Sequence, residues 1–231
     1  RWMQGELAFL LASICDWSAN EQQSKILLGD IKLGKKVCQP FPVLATSADA
    51  RTKRQCSEVY SADKYPTSTL YKNLLVSEST DNRLVIAYLS SDFYNHATSQ
   101  LIAELFVIIG VCYGLSSNDS MRERVAKGLD RFIEVGTSSD EEVTLLLKSL
   151  GVHIAIDLKG HTKDSRLGIF AKRIAPIQIH YLGYPGTIGA GFIDYLIADA
   201  TLVPIEHQDF YTEKIIYLPD TYQVNDRLKA I

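Results

Sequence analysis

Asp92 and His96 stand four residues apart in the stretch SSDFYNHATS, Ser90 to Ser99. A carboxylate and an imidazole that titrates near neutral pH are the two groups that acid/base or transition-state chemistry asks for. Asn95 or His96 can cap a helix whose first turn carries Thr98 and Ser99, so free backbone N–H groups and a positive dipole end face whatever lies before it. Anions and phosphates bind well at such an end. Spacing alone does not mark a site, because a turn aspartate and a capping histidine are common where there is no chemistry. A second loop, Lys159-Gly160-His161-Thr162, reads on its own as a strand-to-helix turn in which glycine supplies a positive φ. A third places Gly183, Pro185, Gly186, Gly189 and Gly191 within nine positions. That density suits a backbone approaching a ligand closely, and equally a plain turn.

Each loop follows an apolar run. Leu84 to Leu89 is short and nearly continuous, the pattern of a parallel strand covered on both faces. Further strands are predicted at Ile108–Tyr113, Phe132–Val135, His153–Leu158, Ile177–Leu182, Tyr195–Ala198 and Lys214–Leu218, with helices between most of them. Alternation of this kind predicts an α/β, Rossmann-like parallel sheet with a helix layer on each face. Ligands of such sheets sit beyond the carboxyl ends of the strands, so the loops after Leu89, Leu158 and Leu182 should converge on one crevice.

Residues 1–76 read as a helical lead-in and 83–231 as the sheet-bearing unit. Leu7, Leu10, Leu11, Ile14 and Cys15 keep a helical period, Ile26, Leu27, Ile31 and Leu33 continue it after a break at Ser18 to Asn20, and a further helix covers Ala48 to Tyr60. Gln39-Pro40-Phe41-Pro42 is expected to be extended. Two short helical hairpins here fit the end of a helical-repeat array lying upstream. Ser77 to Asp81 reads as a linker, and Trp17 and Tyr195 as core aromatics.

With 46% hydrophobic and 22% charged residues the chain has ordinary globular composition. A net charge of −3 argues against a nucleic-acid surface, so a phosphate-bearing ligand must be met by local donors. The longest apolar run, Leu105 to Leu115, is too short to cross a bilayer. The four cysteines, Cys15, Cys38, Cys56 and Cys112, are too widely spread for a redox or zinc motif. Without a secretory signal either, a reduced cytoplasmic compartment is the expectation. The phosphate loop GxxxxGK[ST], a well-spaced GxGxxG, GxSxG and a metal-holding Asp-x-Asp pair are all absent, which favours a mechanism without metal or cofactor.

Taken together, the motifs resemble the catalytic region of the O-linked N-acetylglucosaminyltransferases, the family that includes SPINDLY-like and tetratricopeptide-repeat-bearing proteins. The resemblance runs through ICDW, QPFPVLA, RLVIAYLSSDFYNHATS, GVHIAIDLKGHTKDSR, FAKRIAPIQIHYLGYPGTIGAGFIDYLIAD and YTEKIIYLPDTYQVND, in the family's order. It implies the N-terminal Rossmann half of a GT-B glycosyltransferase that moves N-acetylglucosamine from UDP-GlcNAc to a protein Ser or Thr hydroxyl, with inversion and without metal. By the same resemblance His96 and Asp92 line the catalytic site, Thr98 corresponds to the family's threonine two residues after that histidine, Leu182 and Gly183 touch the sugar, and Asn95 and His161 belong to the substrate-binding set. His96 would orient acceptor or sugar; Asp92 would take up a proton through water or hold the histidine's tautomer. The family's second Rossmann half, carrying most uridine and diphosphate contacts, should follow Asn225-Asp226, so a partner half in cis or trans is expected and this stretch alone should be inactive. The family's usual tyrosine in the second loop is His161 here, and QPFPVLATS offers no counterpart to an active-site histidine of animal members. Two other readings stay open: a relative using UDP-glucose and another acceptor, and a non-catalytic interaction module built on one Rossmann half.

Overall fold

The computed structural model describes residues 1–17, 20–67, 84–102, 107–114, 117 and 119–226. The expected linker Ser77–Asp81, the boundary between lead-in and sheet, and most of the break before Asn20 lie outside these residues. Seven strands form one wholly parallel sheet: β1 (Ile86–Ser90), β2 (Val107–Cys112), β3 (Leu129–Glu134), β4 (Ile154–Asp157), β5 (Ile177–His180), β6 (Tyr195–Ala198) and β7 (Lys214–Tyr217). Each falls on a predicted strand, with its ends moved by a few residues at most. Their order across the sheet is β3-β2-β1-β4-β5-β6-β7. The chain therefore builds outward from β1 in one direction, returns, and builds outward from β4 in the other. The two halves meet where β1 pairs with β4, Ala87 opposite Ala155 and Leu89 opposite Asp157. At that switch point the connections on either side diverge and leave a crevice beyond the strand ends.

Alternation along the strands feeds two cores. Ala87, Leu89, Val111 and Ala155 face one layer with Val143, Leu147, Leu167, Phe170 and Ile174, all fully or nearly fully buried. Cys112, Ile156, Leu158 and Ile179 face the other with Phe93, Ile102, Val125 and Tyr181. Burying each large aliphatic side chain is worth about 1.5–3 kcal/mol. Helix starts are fixed by local caps. Asp119 accepts from Arg122 N at 2.9 Å ahead of α6 (Ser120–Lys127), and Ser139 with Glu142 closes a reciprocal capping box at α7 (Asp140–Ser149).

Before the sheet come α1 (Met3–Ser13), α2 (Asn20–Lys32), α3 (Pro40–Val43) and α4 (Ala50–Lys64). Asp49 caps α4 by accepting from Thr52 N at 2.7 Å. The prolines of Gln39-Pro40-Phe41-Pro42 do not hold the segment extended. Only Gln39 is extended (φ −81°, ψ 157°), and Pro40 opens a one-turn helix. First-turn positions tolerate proline because their N–H groups have no intrahelical acceptor to lose. The apolar stripe of α1 also departs from expectation: Leu7, Leu10 and Ile14 are 52, 61 and 72% exposed, while Trp2 and Gly5 are buried. Trp17, expected in the core, is 59% exposed. Periodicity marks a face but not which side of it is covered. In α2 the buried pair is Leu27 and Ile31, which join Cys38, Val43 and Cys56 in a small core between the helices.

These helices rest on the loop that follows β5. Ser61 Oγ donates to Ile188 O at 2.6 Å and Tyr184 Oη to Pro40 O at 3.2 Å. Gly189 adopts φ +71°, and a Cβ there would lie 2.4 Å from Glu58 N, so glycine is required where this loop meets α4. Among the described residues no helix is long and apolar enough to cross a membrane.

Candidate functional site

β1 ends at Ser90, and the chain then tightens. Tyr94 N–H donates to Asp92 O at 2.8 Å and His96 N–H to Tyr94 O at 2.6 Å, two successive three-residue turns that carry Asp92 and His96 to the same side. Ser99 Oγ donates back to Asp92 O at 2.6 Å, and Asp92 N–H to Ser90 Oγ at 2.9 Å. The helix that follows, α5 (Ala97–Ile102), is capped by His96: Thr98 N–H donates to its Nδ1 at 3.2 Å. With that lone pair engaged, the proton of the neutral ring sits on Nε2, and the half-exposed imidazole presents an N–H.

Asp92 is buried, yet both its oxygens are engaged. Ser91 Oγ donates to Oδ1 at 2.9 Å, and Lys159 Nζ donates to Oδ2 at 2.6 Å. His96 Nδ1 approaches the same Oδ2 to 3.6 Å, beyond hydrogen-bond range. Lys159 follows β4 and Asp92 follows β1, so their ion pair bridges the switch point of the sheet.

Behind it lies a second pair. Asp157, at the end of β4, takes Lys159 N–H on Oδ1 at 3.1 Å and Gly160 N–H on Oδ2 at 2.7 Å. His180, at the end of β5, lies 3.0 Å from Asp157 Oδ2 through Nδ1 and 2.6 Å from Tyr184 O through Nε2. Both neighbours are acceptors, so both ring nitrogens donate and the ring is an imidazolium. Burial alone would drive the proton off, but the Asp157 carboxylate and the Tyr184 carbonyl outweigh it and push the imidazole's proton affinity up. This pair ties the loop after β4 to the loop after β5. Gly183 makes the tie close: a Cβ there would lie 2.1 Å from Leu158 O and 3.0 Å from Lys159 Cα. The glycine-dense loop thus approaches protein backbone, where a ligand had been one of the two sequence readings. Leu182 bends it further, at φ +65° with Gly183 N–H donating to Tyr181 O at 3.0 Å, a strained three-residue turn.

A cleft of about 780 Å³ opens over this assembly. Asp92, His96, Thr98, Lys159, His161 and Gly183 line one side; Tyr60, Tyr65, Phe41 and Phe9, from the N-terminal helices and their connections, line the other. The three loops do converge. Asn95 is exposed and bonds to Gln100 outside the lining, and Leu182 packs with the Leu158 and Ile179 cluster, so these two do not line the cleft. His161 is clamped edge-on between Tyr60 and Tyr184, with ring centroids at 5.5 and 5.3 Å. Its Nε2 donates to Ile188 O at 2.9 Å, which leaves Nδ1 a buried acceptor without a partner among the described residues. Burial pushes this imidazole down to about 4, so it is neutral at physiological pH.

Sequence reasoning missed Lys159, Asp157 and His180. Their signal was a charged or titratable residue closing an otherwise apolar strand, in IAID and IQIH, where a polar group needs a buried partner. It also took the N-terminal helices as a lead-in when they supply half the cleft. Among the described residues no group of three His, Cys, Asp or Glu side chains could hold a metal ion.

Similarity to known proteins agrees with this architecture. The chain is 37% identical over 194 residues to the probable UDP-N-acetylglucosamine–peptide N-acetylglucosaminyltransferase SEC of Arabidopsis thaliana, covering 80% of the chain and 20% of that protein. It is 30% identical over 244 residues to the UDP-N-acetylglucosamine–peptide N-acetylglucosaminyltransferase of Caenorhabditis elegans, covering 94% of the chain and 21% of that protein. The chain thus spans about a fifth of the length of these curated relatives. A lysine-to-methionine mutant of the Thermobaculum terrenum O-GlcNAc transferase superposes with a TM-score of 0.75 at 21% identity, over 95% of this chain and 44% of that one, and shares the fold. The model of Glycosyl transferase family 41 matches residues 50–231, from the first turn of α4 to the end of the sequence. The chain belongs to glycosyl transferase family 41.

Proposed function

We propose that this chain is the N-terminal catalytic half of a UDP-GlcNAc-dependent protein O-GlcNAc transferase, which moves N-acetylglucosamine to Ser or Thr hydroxyls with inversion and without a metal. The observation that carries the reading is the convergence of Asp92, His96, Lys159 and Gly183 on one cleft at the switch point, in a chain whose curated relatives are named for that transfer. In an inverting transfer an acceptor oxygen attacks the anomeric carbon in line with the departing diphosphate, through a transition state of oxocarbenium character, so the protein mainly positions and neutralises.

The residues suit that task. The His96 Nε2–H is a donor for an acceptor or sugar oxygen, and the neutral His161 ring, clamped between Tyr60 and Tyr184, shapes the wall of the cleft. Thr98 extends the polar lining beside His96. Asp92, held by Lys159 and Ser91, is a fixed carboxylate beneath them. The donor is a substrate, and no resident cofactor is invoked. The second Rossmann half, in cis or trans, supplies the remaining nucleotide contacts; protein acceptors and the nucleotide sugar are the partners, with no role for nucleic acid or membrane, in the cytoplasm.

The test is transfer by the complete protein, with UDP-GlcNAc and UDP-glucose compared on a protein acceptor library by mass spectrometry. GlcNAc on Ser or Thr is expected; glucose transfer, or transfer to another side chain, would replace the donor or acceptor assignment, and no transfer at all would make the chain a binding module. His96→Ala should lower transfer by about two orders of magnitude or more with folding intact, the size typical of losing a positioned acid/base or orienting group. Near-normal turnover would remove His96 from the site.

A further inference from the structure

Asp92 Oδ2 has two nitrogens near it, Lys159 Nζ at 2.6 Å and His96 Nδ1 at 3.6 Å. Only one is bonded. Lys159 is 6% and Asp92 7% exposed by side chain, against 40% for His96, so the buried ammonium has the carboxylate and the more exposed imidazole does not. His96 Nδ1 instead takes the Thr98 N–H and caps α5. If Asp92 were released, the second nitrogen beside its Oδ2 would be His96 Nδ1, 3.6 Å away. Bonding to it would require a proton on Nδ1, so the ring would give up Thr98 and change the face it shows the cleft.

We propose that Lys159 is a positioning residue of the transfer reaction: by holding Asp92 Oδ2 it keeps the carboxylate from capturing His96, which stays in the Nε2–H form that meets substrate. This rests on the transferase reading above. Lys159 is itself set by the Asp157 carboxylate, which takes the backbone N–H of Lys159 and of Gly160, and by Gly183 packed against its Cα. The other ionisable groups facing the arrangement are Tyr94, whose ring lies 5.6 Å from that of His96, Asp164, Tyr113, buried beyond Asp92, and Arg166, whose guanidinium bonds Asp140 and the Val135 and Ser138 carbonyls. None of them is bonded to Asp92 Oδ2, so Lys159 alone performs the holding among the described residues.

A residue that works only through another has no effect once the other is neutralised, and a double-mutant cycle in the complete protein reads this directly. Lys159→Met should lower kcat by about ten- to a hundredfold, the loss expected from misplacing a catalytic group, with KM for UDP-GlcNAc changed less than about threefold. In an Asp92→Asn background the same substitution should change kcat by less than about threefold. Additive losses, or a Lys159→Met enzyme as fast as wild type, would overturn the proposal. A purely structural lysine would lower the melting temperature and the activity in both backgrounds alike. Should Lys159→Met fail to melt cooperatively, Lys159→Gln, which keeps an N–H donor without the charge, is judged by the same criterion. Absence of transfer by the wild-type protein is a different result: it would overturn the transferase reading itself.

Discussion

Two acid–base pairs sit at the carboxyl ends of adjacent strands and do opposite work. Asp157–His180 is closed: both residues are essentially inaccessible, each ring nitrogen has an acceptor, and each carboxylate oxygen has a donor. Asp92–Lys159 is open: it lines the cleft, and its Oδ2 has a second suitor in a half-exposed histidine. In the closed pair every polar atom is partnered, whereas in the open pair Asp92 Oδ2 is bonded to one nitrogen and has a second, unbonded, at 3.6 Å. Buried, fully satisfied ionic groups fix geometry, and those at a cleft mouth can exchange partners during a reaction.

The largest effect should come from breaking the closed pair. Asp157→Ala leaves a buried imidazolium and orphans the N–H groups of Lys159 and Gly160, at a cost of about 3–5 kcal/mol in denaturant unfolding. A loss below about 1 kcal/mol would mean the pair is not what holds the two loops, and the contrast with Asp92–Lys159 would fail.

Next is the pH dependence, in which the two buried histidines have opposite signs. The folded His161 resists protonation until about 4, while the unfolded ring takes its proton near the ordinary 6.5. Stability should therefore fall by about 3 kcal/mol as pH drops across that interval. His180 is raised, so its contribution is complete below about 6.5 and is lost as pH rises through its folded value. Stability from these two groups thus falls as pH drops from about 6.5 toward 4 and, through His180, as pH rises above about 6.5. Unfolding titrations of His161→Phe should show the acid arm flattened and the alkaline arm kept; an unchanged acid arm would assign it to other groups.

Gly183→Ala should be the smallest of the three. Its new methyl would meet Leu158 O at 2.1 Å, so the β4 and β5 loops must part, an overpacking cost of about 1–3 kcal/mol. A melting temperature equal to wild type would show that the two loops are not clamped together.

The strands were legible because central parallel strands write themselves as short apolar runs and the edge strands β3 and β7 fall into the same alternation with helices. Asp92 and His96 were legible as a candidate pair for a local reason, four residues of one turn. Lys159 was visible only as part of a turn, because its partner lies 67 positions away and no periodicity links them. For the glycine-dense loop the sequence leaves ligand approach and a plain turn both open: glycine density reports close approach, and packing shows that at Gly183 protein backbone is one of the things approached. The exposed stripe on α1 shows the same limit, since an apolar face is written in the sequence and what covers it is not.

By itself, then, the sequence determined the local things: which segments are strands, where helices cap, which residues are chemically able, and through the order of its motifs the family. The tertiary structure decided which of them meet. The parallel order with its reversal between β1 and β4 brings Asp92 to Lys159, the loop closure at Gly183 sets Lys159 in place, and α4 supplies the wall opposite His96. Such contacts depend on chain topology, which no window of residues contains, because side chains far apart in sequence become neighbours only when the whole sheet has formed.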